Sequence, residues 1–288
     1  MTNKTCELCL SDDFRRITGS RMSECQTCGI QYPDHSPVSG VVTNQAPIPP
    51  SGNGSFLARR QAKLARKVHK SMTLIDIGCG NGSFLYAYNN LNTGCETIGV
   101  ELDEKSIKAA MSAGISVTRN IPQALDHALI TMWHVAEHFS VSDFKQVISD
   151  LSKGNNMLLI SVPNGKSYAW SKHLECYSFF DSKSHMVQYT PRAFNKLLIE
   201  SGWEIQRIFR TPMYGIFNAI QTGLNLYLPH NEIYDHLKRE GNTLSFSLLS
   251  RTLVAATKAI GPIIAMLFNE LNPNTSSSYT ILSIPRKR

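Results

Sequence analysis

The stretch Leu74-Ile75-Asp76-Ile77-Gly78-Cys79-Gly80-Asn81-Gly82-Ser83-Phe84-Leu85 constrains this chain more than any other. Leu74 to Ile77 form a short, mostly apolar run of the length of a buried parallel strand. Glycines follow at alternate positions, and Phe84, Leu85 and Ala87 resume with helical spacing. A strand, a tight turn and a helix start, in that order, are where open α/β sheets take nucleotide-like ligands. Glycine lets the backbone turn sharply and approach a ligand that a Cβ would block. Asp76, at the strand end, can hold a polar or cationic group. The pattern is acidic-x-G-x-G-x-G, not the G-x-G-x-x-G of dinucleotide sites. Thr97 to Asp103 reads as the next strand and carries Glu101, whose carboxylate can accept both hydroxyls of a ribose, in adenosine or NAD alike.

Strands are expected at 73–77, 96–101, 115–118, 128–132 and 156–162, with helices at 82–91, 104–113 and 141–152. A helix from Phe194 to Ser201 and strands at Glu204–Arg210 and Tyr279–Ile284 follow. Such alternation argues a parallel, doubly wound sheet. Residues 57–70 read as a basic amphipathic helix with Leu57, Leu64 and Val68 inward. Residues 33–56, with Pro33, Pro37, Pro47, Pro49 and Pro50, form a linker or an ordered crossing loop. Residues 213–275 interrupt the last strand pair as a markedly apolar helical insertion, read as two helices broken at Gly261-Pro262. Packing on the core is the plain account of that segment. A lid over the site, or a surface that lies on a membrane or grips a lipid-linked acceptor, are the others. The break and the charges of Arg251 and Lys258 argue against a span.

Composition is that of a globular protein, with 42% hydrophobic and 18% charged residues among 288. No uncharged apolar run of ~18 residues stands out, and the N-terminus does not read as a signal peptide, so the expected compartment is the cytoplasm. The net charge of +7 is scattered, which reads as solvated faces and does not indicate a nucleic-acid partner. His69, His127, His173 and His230 read as surface or loop residues, and Cys79, Cys95 and Cys176 as small packing residues.

The other four cysteines are patterned. Cys6-x-x-Cys9 and Cys25-x-x-Cys28-Gly29 stand fifteen residues apart, the spacing of a four-cysteine zinc ribbon in residues 1–32. Each knuckle presents two thiolates on one side of a tight turn, and two knuckles complete a tetrahedral site. With all four positions taken by cysteine, the zinc would be structural. Metal would supply most of the folding free energy of so short a segment. A redox pair or chance spacing is the competing account.

Asp76 to Gly82 resembles motif I of the class I S-adenosylmethionine-dependent methyltransferases. Trp133-His134-Val135-Ala136-Glu137-His138 resembles the "HVLEH" signature of a bacterial group of these enzymes that also carries an N-terminal ribbon. Leu158 to Asn164 resembles the fifth strand and its Pro-Asn turn. His185 to Pro191, followed by Phe194, Leu197, Leu198 and Gly202-Trp203, resembles the family's H-x-x-x-F-T-P…L…G-F segment. The resemblance covers about residues 4–210 and the last strand. It implies a seven-stranded Rossmann-like methyltransferase domain over 57–288 with an antiparallel ending. It also implies an S-adenosylmethionine site at Asp76, Gly78, Gly80, Gly82, Glu101, Leu102, Asn120 and Trp133. The Asp that often contacts the adenine amino group is lacking; Asn120 and Ile121 occupy that neighbourhood. Many relatives act on sugars, polysaccharide precursors or other small acceptors.

Methyl transfer to a hydroxyl needs orientation and a base, and histidine suits the pH range. His134, Glu137 and His138 have i, i+3, i+4 spacing, as if on one helical turn. With His185, from the loop after the fifth strand, they are expected to be reached from one cleft. Ubiquinone-pathway O-methyltransferases and small-RNA 2′-O-methyltransferases carry a similar E-x-x-E-H that binds a divalent metal. This chain has His134 in place of the first Glu, which favours a metal-free base while leaving a second divalent metal open. The rival readings are an NAD-dependent enzyme, a metal-dependent RNA 2′-O-methyltransferase, and a non-catalytic zinc-ribbon module on a methyltransferase fold. Peripheral membrane contact and the oligomeric state stay open.

Overall fold

The structure is a computed structural model that describes residues 5–18, 20–34, 47–52, 55–68, 73–91, 94–122, 125–177, 184–209, 212–229, 232–233, 245–272 and 275–287. His69, His230, residues 35–46 of the expected linker and residues 234–244 of the insertion lie outside the described residues. The elements run β1 (Phe14–Arg16), β2 (Met22–Cys25), β3 (Gln31–Pro33), α1 (Phe56–Val68), β4 (Leu74–Ile77), α2 (Ser83–Asn89), β5 (Thr97–Val100), α3 (Glu104–Ser112) and β6 (Val117–Thr118). They continue with β7 (Leu129–Trp133), α4 (Val141–Leu151), β8 (Met157–Pro163), α5 (Tyr168–His173), α6 (Pro191–Glu200), β9 (Trp203–Phe209), α7 (Pro212–Asn225), α8 (Phe246–Asn269) and β10 (Ser278–Pro285). The chain forms two compact units. The first comprises Met1–Val38, Pro163–Phe194 and Phe209–Tyr279; the second comprises Ser39–Val162, Asn195–Ile208 and Thr280–Arg288.

The second unit is built on a seven-stranded, mainly parallel sheet of order β6-β5-β4-β7-β8-β10-β9. From β4 the chain builds outward through β5 to β6, then returns to lay β7 on the other side of β4, with β8 beyond it. The switch point therefore falls between β4 and β7, where an open sheet leaves a crevice at its carboxyl edge. Leu74, Ile75, Leu129, Ile130, Leu158, Leu159 and Ile160 are fully buried, as strands covered on both faces require. Helix α1 packs along α2, but not on the face expected. Ala58, Ala62 and Ala65 are the buried row, while Leu57, Leu64 and Val68 stay half-buried beside it. Small side chains allow the closer approach of the two helices.

In the first unit, β1, β2 and β3 form a three-stranded antiparallel sheet. It is tied to other segments of the unit by a two-way backbone bridge between Gln31 and Gln188. Met22 is buried in one cluster with Trp170, Tyr177, Ala219 and Met266, so the cysteine segment shares a core with α5, α7 and α8. Thr190-Pro191 starts α6: Thr190 Oγ1 accepts from Ala193 N at 3.2 Å, and the ring of Tyr189 packs 5.0 Å from that of Phe194. These are an N-cap, a proline at the first helical position and a hydrophobic staple.

The expected break at Gly261-Pro262 does not occur. Helix α8 runs unbroken for 24 residues with Pro262 inside it. Proline removes one intrahelical hydrogen bond, but the carbonyl that loses its partner belongs to exposed Lys258, where water can serve. The helix is long and apolar enough by length and composition to cross a membrane, and 17% of its Ser247–Asn269 window is buried. The plain expectation of a helix pair packed into the core is thus met only along one face.

Candidate functional site

The site begins at the turn after β4. Gly78, Gly80 and Gly82 all adopt positive φ, at +72°, +54° and +77°. They do different jobs. A Cβ on Gly78 would lie 2.5 Å from Val135 Cγ2, and one on Gly82 would lie 3.0 Å from Ala110 Cβ. A Cβ on Gly80 would meet nothing within 4 Å, so only there does the missing side chain open onto free space. The turn is pinned by Gly78 N–H and Cys79 N–H, which donate to Val100 O at 2.8 and 3.1 Å. Asn81, not singled out in the sequence, accepts from Ser83 N–H at 3.2 Å in a turn just before α2 and donates to Ile48 O at 2.7 Å. Tyr86 Oη donates to Gly52 O, so residues 48–52 are held against α2 as an ordered crossing segment. An Asn next to a glycine ahead of a helix start is the signal for such a turn.

Glu101 follows β5. One of its oxygens accepts Gly80 N–H at 2.8 Å, and the other accepts Leu102 N–H at 2.7 Å and Asp103 N–H at 2.9 Å. The carboxylate thus orders the glycine turn and retains lone pairs for further donors. Leu102 is 70% exposed, and Asn120 is exposed. Asn120 and Ile121 line an open groove along the β6 edge with Ile98, Val117, Thr118 and Pro122. Asp76 is buried and accepts from Thr131 Oγ1 at 2.7 Å; burial pushes its carboxyl up to about 8.

The end of β7 supplies the other half. Trp133 packs 5.4 Å from the ring of Phe84, and its buried Nε1–H has no hydrogen-bond partner among the described residues. His134 has φ +58°, a left-handed backbone uncommon outside glycine. Its N–H still donates to Ser161 O at 2.9 Å, extending the β7–β8 ladder by one bond before the chain turns. Glu137 and His138 lie on a single 3₁₀ turn, Ala136–His138, and His134 lies outside it. The expected helical turn carrying all three is corrected in this respect, because the sheet ladder holds His134 until the chain reverses. Even so, His134 Nδ1 comes to 3.6 Å from Glu137 Oε1.

Burial sets the electrostatics of this pair. It pushes Glu137 up to about 8, and it pushes His134 down to about 4 with help from His138. At neutral pH the imidazole is therefore neutral and able to accept a proton. His185 is buried in the first unit.

In the cysteine ribbon, the Sγ atoms of Cys6, Cys9, Cys25 and Cys28 lie within 4.8 Å of one another. Cys6–Cys28 is 3.6 Å and Cys9–Cys25 3.5 Å, close to the ~3.8 Å edge of a tetrahedron with ~2.3 Å metal–sulfur bonds. None of the seven cysteines is in a disulfide. The two knuckles repeat one geometry. Leu10 N–H donates to Cys6 O at 2.8 Å and Gly29 N–H to Cys25 O at 2.7 Å, with φ +61° and +81° at Leu10 and Gly29. The donor set and its spacing fit a four-thiolate metal site. Cys79 is buried against Gly99, as the packing role requires.

Residues 53–208 match the family model for the methyltransferase domain, and the chain belongs to that family. It is an S-adenosylmethionine-dependent methyltransferase, and its sheet order is that of the class I fold. Among solved structures, a mycolic acid cyclopropane synthase complexed with S-adenosylhomocysteine is 12% identical with a TM-score of 0.52, over 78% of this chain and 83% of that one. Coclaurine N-methyltransferase, bound to N-methylheliamine and S-adenosylhomocysteine, is 10% identical with a TM-score of 0.50, over 84% and 77%. A SAM-dependent methyltransferase from Archaeoglobus fulgidus is 20% identical with a TM-score of 0.46, over 78% and 94%. At such identities the likeness is one of fold. No curated protein matched the chain.

Proposed function

We propose that the chain methylates a hydroxyl of a sugar, or of a glycan- or lipid-linked precursor, in the cytoplasm, and that its ribbon holds one structural zinc. The observation that carries the acceptor reading is the half-buried His134, its Nδ1 3.6 Å from the buried carboxyl of Glu137 at the end of β7. The sugar class is supported by the "HVLEH" and ribbon resemblance, and the cytoplasm by four thiols that metal binding requires in reduced form.

When bound, S-adenosylmethionine supplies an activated sulfonium methyl, so the protein must orient the reactants and remove the acceptor proton. On the cofactor side, Gly80 leaves room for close approach and Glu101 accepts the ribose hydroxyls. Leu102 and Asn120 border the adenine, and the Trp133 indole N–H offers an unused donor. On the acceptor side, His134 takes the proton on Nε2, because Nδ1 faces Glu137. As the imidazolium forms, Glu137 is drawn toward its charged form, and the two titrate as a pair. His138 and His185 are carried over as acceptor-side residues from the resemblance, with substitution as their test.

Calorimetric titration with S-adenosylmethionine, S-adenosylhomocysteine and NAD tests the cofactor side. The first two should bind; binding of NAD alone would overturn the reading. An untargeted screen with labelled S-adenosylmethionine then identifies the acceptor. On that acceptor, His134→Ala should lower turnover ~10²–10⁴-fold with cofactor affinity intact. Unchanged turnover would mean that the acceptor needs no base from this residue.

A further inference from the structure

Ahead of α1, the segment Pro47-Ile48-Pro49-Pro50-Ser51-Gly52 crosses the start of α2. Proline fixes φ and carries no N–H, so three prolines keep this strap stiff and out of any sheet. A stiff strap loses little entropy when it is held in place. Two side chains hold it. Asn81 Nδ2 donates to Ile48 O at 2.7 Å, and Tyr86 Oη donates to Gly52 O at 3.3 Å. Pro47 and Pro50 are half-buried. The Ile48 carbonyl is thus turned to the protein, while its side chain is 54% exposed. A single exposed isoleucine is ordinary on a protein surface. This one is informative because of where its backbone is pinned.

Asn81 stands between Gly80 and Gly82 in the turn after β4. Its Oδ1 is engaged by Ser83 N–H at 3.2 Å and Ser83 Oγ at 2.8 Å, which leaves the amide nitrogen for the strap. On the other side of the turn, Gly80 N–H donates to Glu101 Oε2 at 2.8 Å, and a Cβ on Gly80 would open onto free space. A run of contacts therefore leads from the carboxylate proposed for the ribose, through Gly80 and Asn81, to the Ile48 carbonyl. The turn itself offers a ligand only backbone and one carboxylate. A cofactor resting on it alone would keep its outer face in water, whereas ligands of this size have most of their surface buried. Ile48, fixed beside the turn with its side chain exposed, is an apolar surface in the position to supply that cover. Leu102, next to Glu101 and 70% exposed, is another.

We infer that the strap at 47–52 covers S-adenosylmethionine at the glycine turn, with Ile48 as the covering side chain and Asn81 and Tyr86 as the residues that position it. This role rests on the cofactor side of the reading above and is independent of the acceptor and the base. Asn81→Ser with Tyr86→Phe removes both strap bonds without changing charge, and the serine hydroxyl can still accept Ser83 N–H. Ile48→Ser removes the cover and leaves both bonds. Affinity for S-adenosylhomocysteine and its release rate are measured by calorimetry and stopped flow on the wild type, these two variants and Glu101→Gln. Each strap variant should bind about fivefold more weakly, the effect of leaving about half an isoleucine side chain in water, and the loss should appear as faster release. Melting temperatures without ligand should stay those of the wild type. In the wild type, S-adenosylhomocysteine should also slow amide exchange in the peptide spanning 47–52, a reading that needs no variant to fold. If Glu101→Gln weakens binding while both strap variants bind and release like the wild type, the strap's role is overturned and the cofactor site stands. Unchanged exchange at 47–52 on binding overturns it as well. If Glu101→Gln has no effect, the cofactor-site assignment fails, and the strap's role falls with it.

Discussion

In a His134→Gly protein the backbone at the end of β7 is relieved of a side chain held in an unfavourable conformation. A non-glycine residue in the left-handed region costs about 1–2 kcal/mol, and His134 sits there at φ +58°. Glycine removes that cost but returns about 0.4–1 kcal/mol through the freer unfolded chain. Alanine keeps the strain. Both variants lose the same imidazole, so His134→Gly should be more stable than His134→Ala by about 0.5–1 kcal/mol. Both should lose turnover ~10²–10⁴-fold, so a substitution that improves on alanine in stability recovers nothing in catalysis.

The imidazole adds a pH signature. Its pKa is held down to about 4 by burial, against 6.5 for the free side chain. The unfolded chain therefore takes the proton first. Stability on this account is intact above about 6.5 and is lost as pH falls toward 4. At ~1.4 kcal/mol per pKa unit the loss between pH 7 and pH 5 is at most about 2 kcal/mol, reduced because the side chain is 20% exposed. Glu137, raised to about 8, works in the other direction: its contribution is full below about 4.5 and is lost as pH rises through 8. It is present in all three proteins and cancels from the difference to first order. Urea melts at pH 7 and pH 5 should thus show both variants gaining on the wild type at the lower pH. A glycine variant less stable than the alanine variant would refute the backbone assignment, and an unchanged difference between the two pH values would refute the lowered pKa of the imidazole.

The three glycines should part company. Gly78→Ala drives a Cβ into Val135 at 2.5 Å and strains φ, which should cost about 2–4 kcal/mol; Val135→Ala in the same protein should recover part of that loss in a double-mutant cycle. Gly80→Ala, with nothing within 4 Å, should cost only the backbone strain of about 1–2 kcal/mol, while calorimetry shows cofactor binding sharply weakened. Glu101→Gln should weaken cofactor binding by about 1.5–3 kcal/mol; Glu101→Ala should also lower the melting temperature, because Gly80, Leu102 and Asp103 N–H lose their acceptor. Protein purified without chelator should contain about one zinc per chain, and a Cys25→Ser protein that kept full zinc would refute the ligand set.

Much of the fold is legible in the sequence because β4, β7 and β8 are buried on both faces and read as apolar runs bounded by turns. Thr190-Pro191 and Gly202-Trp203 are legible for a different reason: an N-cap with proline, and a glycine at φ +89° after a helix, are local requirements. What was not legible depends on neighbours distant in sequence. The inward face of α1 is a row of alanines because α2 approaches closely, whereas periodicity alone points the leucines inward. Helix α8 continues through Pro262 because packing of Ala259 and Met266 offsets the cost of an interior proline, about 3 kcal/mol for the lost hydrogen bond and the ring's crowding of the Lys258 carbonyl together. His134 leaves the helical turn because its N–H is claimed by Ser161 across the sheet.

The two halves of the site are one mechanical object. Val135 directly follows the left-handed His134 and occupies the space where Gly78 lacks a Cβ. The turn after β4 and the turn after β7 therefore fix each other: a side chain at position 78 would displace Val135, and with it the backbone that aims His134. Gly80 faces open space while Gly78, two residues earlier, is closed by this contact. The glycine pattern at 78–82 and the His-Val pair at 134–135, more than fifty residues apart, thus record a single constraint. On the proposed roles, cofactor-side and acceptor-side geometry cannot be altered independently across that contact. A pair of compensating changes, Gly78→Ala with Val135→Gly, should restore stability sooner than turnover, since removing the Val135 side chain also frees the backbone that holds the imidazole in place. Turnover restored to the wild-type level in that double variant would show that the base is positioned by something other than this lock.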